Sequence, residues 1–387
     1  MRAGKNLWIL VFVCIINSLG FGIIVPVLYQ YGKTFGLTGT TLGALTASFS
    51  IAQFFATPVL GSLSDRWGRK PLLVISLLGT CISFLLFARA TSLFVLFAAR
   101  ILDGLTGGNV SVAQAMVADT ATPENRARHF GYLGSSLAFG FVIGPFVGGV
   151  FTTLSPQAPF YFAACISLVG TLIALLFLKE TNPAEKRNKA SGNEKFRFAA
   201  LITTLKRHTI GTAVFTGLLL TMAQFTMIIG FQTFSVDILK ISATQIGLFL
   251  AGFGVCGIIM QLCVPLFTRL FSSKSVILML STVLCFAAML LSGFTSTFLP
   301  YALCMFVYGL FNGLRNPMLN AIIAEHANPA EQGKILGINQ SYASIGQTLG
   351  PVTAGLVTVI SIHSVFFLSS LYILIAFLLS FRLKRKE

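Results

Sequence analysis

Residues 61–70 read GSLSDRWGRK and separate two long apolar segments, 41–63 and 71–90. The stretch is crowded with charge, although only 10% of the residues in the chain are charged. A helix crosses the hydrocarbon core of a bilayer in about 20 residues, and each flanking segment is long enough to do so. The glycines permit a tight connection. The stretch therefore predicts a short polar loop that joins two membrane-spanning helices.

The same alternation of apolar segments and polar links continues along the whole chain. Of its 387 residues, 55% are hydrophobic and 10% are charged, whereas soluble proteins contain about 25% charged residues. A chain with so few charges cannot cover its surface with polar groups, so lipid must be the solvent for much of it. Twelve spans are expected, at residues 6–31, 41–63, 71–90, 93–118, 129–153, 158–178, 209–235, 243–268, 275–295, 298–324, 334–359 and 362–382.

The basic residues outside the spans fall mainly in every second link. The intervening links carry only Lys33, Arg89 and Lys240. Because links rich in lysine and arginine stay on the cytoplasmic side, both termini and residues 179–208 are expected to be cytoplasmic, in a multi-pass protein of a bacterial inner membrane. The net charge of +16 is not gathered on one face, which argues against nucleic acid as a partner.

The two halves of the chain are related by an internal repeat. Residues 126–149 align without a gap with residues 332–355, at an offset of 206. A repeat of whole six-helix units is typical of a transporter with pseudo-two-fold symmetry. The expected domains are an N-terminal six-helix bundle at 1–178, a cytoplasmic linker at 179–208 and a C-terminal six-helix bundle at 209–387. The matching residues are Gly131, Ser135, Gly140, Gly144, Pro145 and Gly149 in the first copy and Gly337, Ser341, Gly346, Gly350, Pro351 and Gly355 in the second.

Three further motifs accompany the loop at 61–70. Residues 140–149 read GFVIGPFVGG, residues 100–108 read RILDGLTGG, and residues 20–26 read GFGIIVP. Together, the four motifs resemble those of the major facilitator superfamily, and within it the twelve-helix drug:proton antiporters, which include the tetracycline exporters. The helix count extends the resemblance over the whole chain. It implies an all-α membrane protein with the major facilitator fold, in which twelve transmembrane helices form two pseudo-symmetric six-helix bundles.

The resemblance implies that the loop at 61–70 acts as a latch on the cytoplasmic side. In the family, the loop aspartate, here Asp65, docks on helix eleven. The second arginine, here Arg69, pairs with an acid at the end of helix four, here Asp119. A plain positive-inside loop is the alternative, but it does not explain the glycines or the aspartate. The second half has Arg269 at the aspartate position, which predicts an absent or altered second latch. The expected latch residues are Gly61, Asp65, Arg66, Gly68, Arg69 and Asp119.

The motif at 140–149 matches the antiporter motif of the family, G-x-x-x-G-P-x-x-G-G. Small residues four apart let two helices approach closely, and proline removes a backbone hydrogen bond and bends the helix. In the family, this helix seals one side of the transport cavity, and the motif occurs in antiporters rather than symporters. The resemblance therefore implies export. The residues of the motif and its repeat are Gly140, Gly144, Pro145, Gly148, Gly149, Gly346, Gly350 and Pro351.

Arg100 and Asp103 lie three residues apart within the fourth expected span. Residues at this spacing share a helical face, so the two side chains can pair. Ionisable residues inside a membrane are functional by default, and a proton-driven exchanger needs a titratable group that reaches both sides in turn. We expect Asp103 to carry the proton and Arg100 to adjust its affinity. The alternative is a structural salt bridge. The family often has a glutamine or a small residue at position 103, so this role is inferred from the chain itself.

Polar side chains inside other spans predict a substrate cavity. Asn312, Arg315, Asn316 and Asn320 have helical spacing and form one polar stripe of helix ten, which is expected to face the cavity. The charge of Arg315 favours a substrate with an anionic group. Asn17 stands where tetracycline exporters carry an aspartate; an amide cannot titrate or balance a metal-chelate cation, which disfavours tetracycline itself. Hydrogen bonding between helices is the alternative role for these side chains. The expected cavity residues are Asn17, Gln53, Asn109, Gln224, Asn312, Arg315, Asn316 and Gln340.

These features favour proton-coupled antiport that exports small amphiphilic compounds by alternating access, as in multidrug efflux. The alternatives are a narrow exporter of one anionic metabolite or siderophore, a proton-coupled uptake symporter, a lipid flippase and a membrane receptor that transports nothing. The expected partners are a small-molecule substrate, protons and the lipid bilayer, and the protein is expected to function as a monomer. The sequence contains no nucleotide-binding loop, catalytic triad or metal cluster, so neither an enzyme nor a cofactor or metal is expected.

Overall fold

The computed structural model describes residues 2–183, 203–271, 273–327 and 332–384, and this part of the chain is all-α. Most of the expected linker, at 184–202, lies outside the described residues. The first helices are α1 (Arg2–Lys33), α2 (Gly39–Trp67), α3 (Arg69–Ala88), α4 (Leu93–Thr106), α5 (Asn109–Thr120), α6 (Pro123–Phe151) and α7 (Ala158–Phe177).

The helices that follow residue 207 repeat this arrangement. They are α8 (His208–Thr233), α9 (Ala243–Leu262), α10 (Val264–Leu270), α11 (Lys274–Ser292), α12 (Phe298–His326), α13 (Gln332–Val357) and α14 (Ile362–Lys384). A π-helical turn, Phe234–Ile238, extends α8.

Two of the spans consist of two helices each. One is made of α4 and α5, interrupted at Gly107 and Gly108, and another of α9 and α10, interrupted at Cys263. The helices thus form twelve spans in the described part of the chain, at the expected places. Ten of these spans meet the criteria of length and composition for crossing a membrane. The other two, α12 and α13, are long enough but carry polar side chains, among them Arg315 and Asn339.

Residue contacts divide the described chain into two compact units. Each unit corresponds to one expected bundle, except that the first turns of α2 and of α9 are grouped with the opposite unit. The expected boundaries at residues 178 and 208 remain a prediction. The first unit comprises residues 2–37, 48–183 and 242–251, and the second comprises residues 38–47, 203–241, 252–271, 273–327 and 332–384.

A buried apolar cluster fixes α1, α3, α5 and α7 against one another in the first unit. It includes Leu10, Leu73, Leu77, Met116 and Ala174, none of which is more than 1% exposed. Lipid tails are as apolar as these side chains, so close packing rather than hydrophobic transfer holds such helices together. The cluster thereby positions the ends of α3 and α5, which carry polar residues of the expected site.

Contacts between backbones join α6 to α1. A Cβ atom on Gly144 would lie 2.8 Å from the Cα atom of Gly22, so no side chain larger than hydrogen fits between the two helices. In the second unit, a Cβ atom on Gly350 of α13 would lie 2.7 Å from the carbonyl oxygen of Met222 on α8. The repeat found in the sequence is therefore also a repeat of close helix packing, of the kind that small residues permit.

Candidate functional site

The loop at 61–70 is a tight turn between two helices. Only Gly68 lies between the end of α2 at Trp67 and the start of α3 at Arg69. Its φ of 107° belongs to a region that residues with a side chain rarely adopt. The turn therefore requires glycine at this position. Gly61, in contrast, has open space where a Cβ atom would project, so packing in this structure does not require glycine there.

Arg69 is the centre of a polar network at this turn. Its Nη2 atom lies 2.6 Å from Oδ1 of Asp65, and its Nε atom donates to Oδ2 of Asp119 on α5 at 3.1 Å. Its Nη1 atom donates to the Ser64 hydroxyl at 2.7 Å. Arg66 is exposed. The structure thus brings together the aspartate, the second arginine and the acid of helix four that the sequence singled out.

Glu180, which follows the sixth span, binds the start of α3. Its carboxylate accepts hydrogen bonds from the backbone N–H groups of Arg69 and Lys70, at 3.0 and 3.1 Å. The first N–H groups of a helix have no partner within the helix, and the helix dipole favours negative charge at this end. Glu180 therefore satisfies two backbone donors and adds a favourable charge.

The next two residues bind the same network. The Thr181 hydroxyl donates to Oδ2 of Asp119 at 3.0 Å, and the side-chain amide of Asn182 donates to the backbone carbonyl of Asp65 at 2.9 Å. We call Glu180, Thr181 and Asn182 the clasp. The sequence-based prediction placed these residues in the linker and gave them no site role. Their only signal in the sequence was an acid directly after a span.

An ion pair stands at the corresponding place in the second unit. Lys274, the first residue of α11, pairs with Glu325 near the end of α12. Glu325 follows Asp119 by 206 residues, which is the offset of the internal repeat. The second half therefore has a lysine–glutamate pair where the first half has the arginine-centred network.

Arg100 and Asp103 lie together inside the fourth span. The Nη1 atom of Arg100 is 3.9 Å from Oδ2 of Asp103, and Arg100 is only 2% exposed. The guanidinium carbon lies 5.1 Å from the ring centre of Phe49 and 5.9 Å from that of Phe87, where aromatic faces attract a cation. Among the described residues, Nε and Nη1 of Arg100 have no hydrogen-bond partner. The pair is thus charge-balanced and retains unused donors.

The fourth span is interrupted one turn after this pair, and three expected cavity residues bind around the interruption. The side-chain amide of Gln53 donates to the carbonyl oxygen of Gly107 at 3.2 Å. Asn109, the first residue of α5, donates through Nδ2 to Oδ1 of Asn17 at 3.3 Å. These amides therefore hold the broken span to α1 and α2 within the first unit.

The expected cavity residues of the second unit differ in their exposure. Asn316 and Gln340 are exposed on their unit, whereas Gln224 and Asn312 are partly buried. Arg315 departs from the expected polar stripe, because it is only 2% exposed. Neighbours in an α-helix project about 100° apart, so Arg315 turns towards the packed side of α12 while Asn316 does not.

The first unit also contains a cavity of about 520 Å³ at the ends of α1 and α6 and the start of α9. Its lining includes Gln30, Tyr31, Thr152 and Thr244. None of the expected site residues is among the lining residues, so this cavity is separate from the groups described above.

No metal centre is present in the part of the chain that the structure describes: no group of three His, Cys, Asp or Glu side chains there could hold a metal ion. The seven cysteines are free thiols.

Proteins with names that state a function are similar to this chain over most of its length. Multidrug resistance protein 2 of Bacillus subtilis (strain 168) is 29% identical over 378 residues, which cover 95% of this chain and 92% of that protein. Tetracycline resistance protein, class H, of Pasteurella multocida is 29% identical over 357 residues, which cover 90% of this chain and 88% of that protein.

Solved transporter structures share the fold at lower identity. A bacterial homologue of the human lysosomal transporter Spinster, in an inward-facing and occupied conformation, matches with a TM-score of 0.81 and 12% identity, over 100% of this chain and 97% of that chain. At such identity the likeness shows the fold alone. The model of the Major Facilitator Superfamily matches residues 10–271 and, in a second match, residues 214–387. These matches span nearly the whole sequence, and the chain belongs to the Major Facilitator Superfamily.

Proposed function

We propose that this chain exports small amphiphilic compounds in exchange for protons, by alternating access. The observation that carries this proposal is the Arg100–Asp103 pair, a titratable carboxylate held next to a buried cation within a span. Ionisable groups at such depth are rare and serve ion or substrate pathways. The names of the similar proteins, which state multidrug and tetracycline resistance, support efflux as the direction.

Asp103 binds the driving proton in this mechanism. Protonation removes the negative charge of the Asp103 carboxylate and adds an O–H donor, so it weakens the attraction of Asp103 to Arg100. The guanidinium then loses the counter-charge that faces Nη1, and its Nε and Nη1 atoms already lack hydrogen-bond partners among the described residues. Arg100 can therefore change partners as the proton binds and leaves. The break at Gly107 and Gly108 allows the rest of the span to adjust.

The network around Arg69 serves as a latch in this mechanism. Its bonds join the ends of α2, α3 and α5 to the clasp, so these ends are held together as one body. The side chain of Asp65 remains 43% exposed and is therefore accessible to a further partner. Docking of this aspartate on helix eleven, which the family resemblance implies, completes the proposed latch.

The glycine motif of α6 supports antiport rather than symport. Gly140 and Gly144 leave no room for a side chain against α1, so this pair of helices forms a tight seal within the first unit. The family resemblance associates this motif with antiporters. We further propose that the protein functions as a monomer in a bacterial inner membrane, with both termini in the cytoplasm and with no enzymatic activity or cofactor.

Substrate-induced proton movement in reconstituted vesicles tests the proposed function. Purified protein is placed in liposomes that contain a pH-sensitive dye, and a pH gradient is imposed. A panel of cationic, neutral and anionic amphiphiles is then added, with protein-free liposomes as the control. Export by antiport predicts that at least one compound accumulates against its gradient while protons move the opposite way.

The other outcomes separate the alternative functions. Proton movement in the same direction as the compound would indicate symport, and movement of a labelled lipid between leaflets would indicate a flippase. If no compound of the panel and no lipid moved more than in protein-free liposomes, the proposed function would be contradicted.

A further inference from the structure

Arg315 is enclosed by α8, α11 and α12 in the second unit. Its Nη2 atom donates to the backbone carbonyl of Leu220 at 3.3 Å, and its guanidinium carbon lies 5.6 Å from the ring centre of Tyr308. The Cys285 thiol lies beside it. A carbonyl, a phenol ring and a thiol stabilise a cation through dipoles and the ring face, but none of them supplies a full negative charge.

No carboxylate accompanies Arg315 in the described ranges. The ion pair of the second unit, between Lys274 and Glu325, joins the ends of two helices. In the first unit, by contrast, Arg100 has Asp103 at 3.9 Å. The described part of the chain therefore contains two arginines that are each 2% exposed, one with a counter-charge and one without. An unpaired charge inside a membrane protein is strongly unfavourable, so this difference calls for an anion from outside the chain.

The groups around Arg315 offer several hydrogen-bond donors that are not in use. Nε and Nη1 of Arg315 are buried without a hydrogen-bond partner of regular geometry among the described residues, and the Tyr308 hydroxyl and the Cys285 thiol, which lie beside the guanidinium, are both uncharged. One turn earlier on α12, the side-chain oxygen of Asn312 is also buried without a partner; the amide can present its nitrogen instead by a flip. A carboxylate only accepts hydrogen bonds, and arginine binds it through two parallel N–H···O bonds. The unused donors match that ligand.

We propose that Arg315 binds the anionic group of transported compounds, and that amphiphiles with a carboxylate are therefore among the substrates. This assignment rests on the proposed export function and names a substrate class for it. The alternative is a structural arginine that only braces α8 through the Leu220 carbonyl. Such a brace uses one of the guanidinium nitrogens and supplies no counter-charge for the cation.

The helix that carries Arg315 is built to bend beside it. Pro317 lies within α12 and removes the backbone hydrogen bond that would run to Gly313. A Cβ atom on Gly313 would meet the carbonyl oxygen of Gly257, so α12 packs directly on the backbone of α9 at this point. A change in bend at this place gives an anion access to donors that are enclosed in the present conformation.

Calorimetric titration of purified protein with two matched probes tests this assignment. Naphthylacetate carries a carboxylate, and naphthylethanol has the same ring and a neutral end. We expect the wild-type protein to bind naphthylacetate at least about tenfold more tightly. Arg315→Gln should remove this preference, and a thermal unfolding midpoint close to that of the wild-type protein shows that the variant is folded. Arg315→Lys keeps the charge but loses the fork geometry, so it should retain part of the preference.

Each result supports or overturns the assignment. Equal affinities of the wild-type protein for both probes would overturn it, even if no Arg315 variant could be purified. An unchanged preference in Arg315→Gln would also overturn it. Competition by chloride at the concentration of naphthylacetate would show a general site for small anions and exclude a carboxylate-specific one. The titration uses no proton gradient. If the protein preferred the carboxylate probe in the titration but showed no proton-driven export in vesicles, only the proposed function would be refuted.

Discussion

The Nε atom of Arg69 lies 3.1 Å from the Oδ2 atom of Asp119, and this hydrogen bond ties the start of α3 to the end of α5. The Asp119 side chain is 26% exposed, so solvent reduces the strength of the bond to about 1 kcal/mol.

Asp119→Asn should loosen both helix ends. A loss of about 1 kcal/mol corresponds to about fivefold faster amide exchange at the start of α3 and the end of α5, measured by hydrogen–deuterium exchange. Arg128→Gln is the control, because Arg128 is exposed and bonds only locally to Tyr132. Equal exchange in the Asn variant and the wild type would show that the Arg69 network does not hold these ends together.

Glu180→Ala should free the N-terminus of α3. The backbone N–H groups of Arg69 and Lys70 would lose their acceptor, and the helix dipole would lose a stabilising charge. We expect exchange of these amides to become about tenfold faster, with Glu180→Gln intermediate because its amide oxygen still accepts. Glu325→Ala, in the second unit, should leave them unchanged. If these amides exchanged as fast in Glu180→Gln as in Glu180→Ala, the charge of Glu180 alone would account for its effect on the N-terminus of α3.

Gly144→Ala should destabilise the protein through its contact with Gly22. The new methyl group would meet backbone, which cannot move away like a side chain, and overpacking of this kind costs about 1–3 kcal/mol. Gly134→Ala on the same helix is the matched control, because it has open space and alanine favours the helix by up to about 1 kcal/mol. Thermal unfolding in detergent should show a lower midpoint for the first variant only. Equal midpoints would contradict the close contact of α1 and α6.

Asp103→Asn should separate transport from proton coupling. The amide keeps the size and polarity of the carboxylate but cannot titrate, so downhill exchange of a substrate should persist while accumulation driven by a proton gradient is abolished. Asp103→Ala is unsuitable, because it leaves Arg100 buried without a partner. Accumulation at the wild-type rate in the Asn variant would move the proton site elsewhere, and Asp119 and Glu325 would be the next candidates.

Two cysteine variants test the orientation in the membrane. Arg66 and Lys240 are both exposed and lie in links that are expected on opposite sides. In a chain whose native cysteines are replaced by alanine, Lys240→Cys should react with an impermeant maleimide on intact cells. Arg66→Cys should react only after the membrane is opened. The reverse pattern would invert the topology.

The spans and the Arg100–Asp103 pair were predictable from the sequence because each follows from short-range spacing. A run of apolar residues sets the length of a span, and the spacing of three residues places Arg100 next to Asp103 in any α-helix. The pairing of Arg69 with Asp119 came from the family resemblance, which supplied a contact between residues that are 50 positions apart.

The clasp and the burial of Arg315 were not predictable in this way. Glu180 and Arg69 are 111 positions apart, and no local pattern indicates which helix N-terminus a carboxylate will reach. The stripe of polar residues on helix ten suggested one common face, but the packing of α8 and α11 decides which side of that helix is enclosed. Such contacts depend on tertiary structure and become visible only when the helices are assembled.

The interruption of the fourth span at Gly107 and Gly108 affects how movement of one helix is transmitted to another in the first unit. An unbroken helix would connect Asp103 rigidly to Asp119 over about 24 Å, at 1.5 Å per residue, so that any rotation at one acid would be imposed on the other. Because the span is broken between them, α4 and α5 are two short helices that are not rigidly connected. The hydrogen bonds of Gln53 and Asn109 therefore determine how flexible the break between α4 and α5 is. A single substitution at either residue would uncouple protonation of Asp103 from the latch while leaving both Asp103 and Asp119 in place.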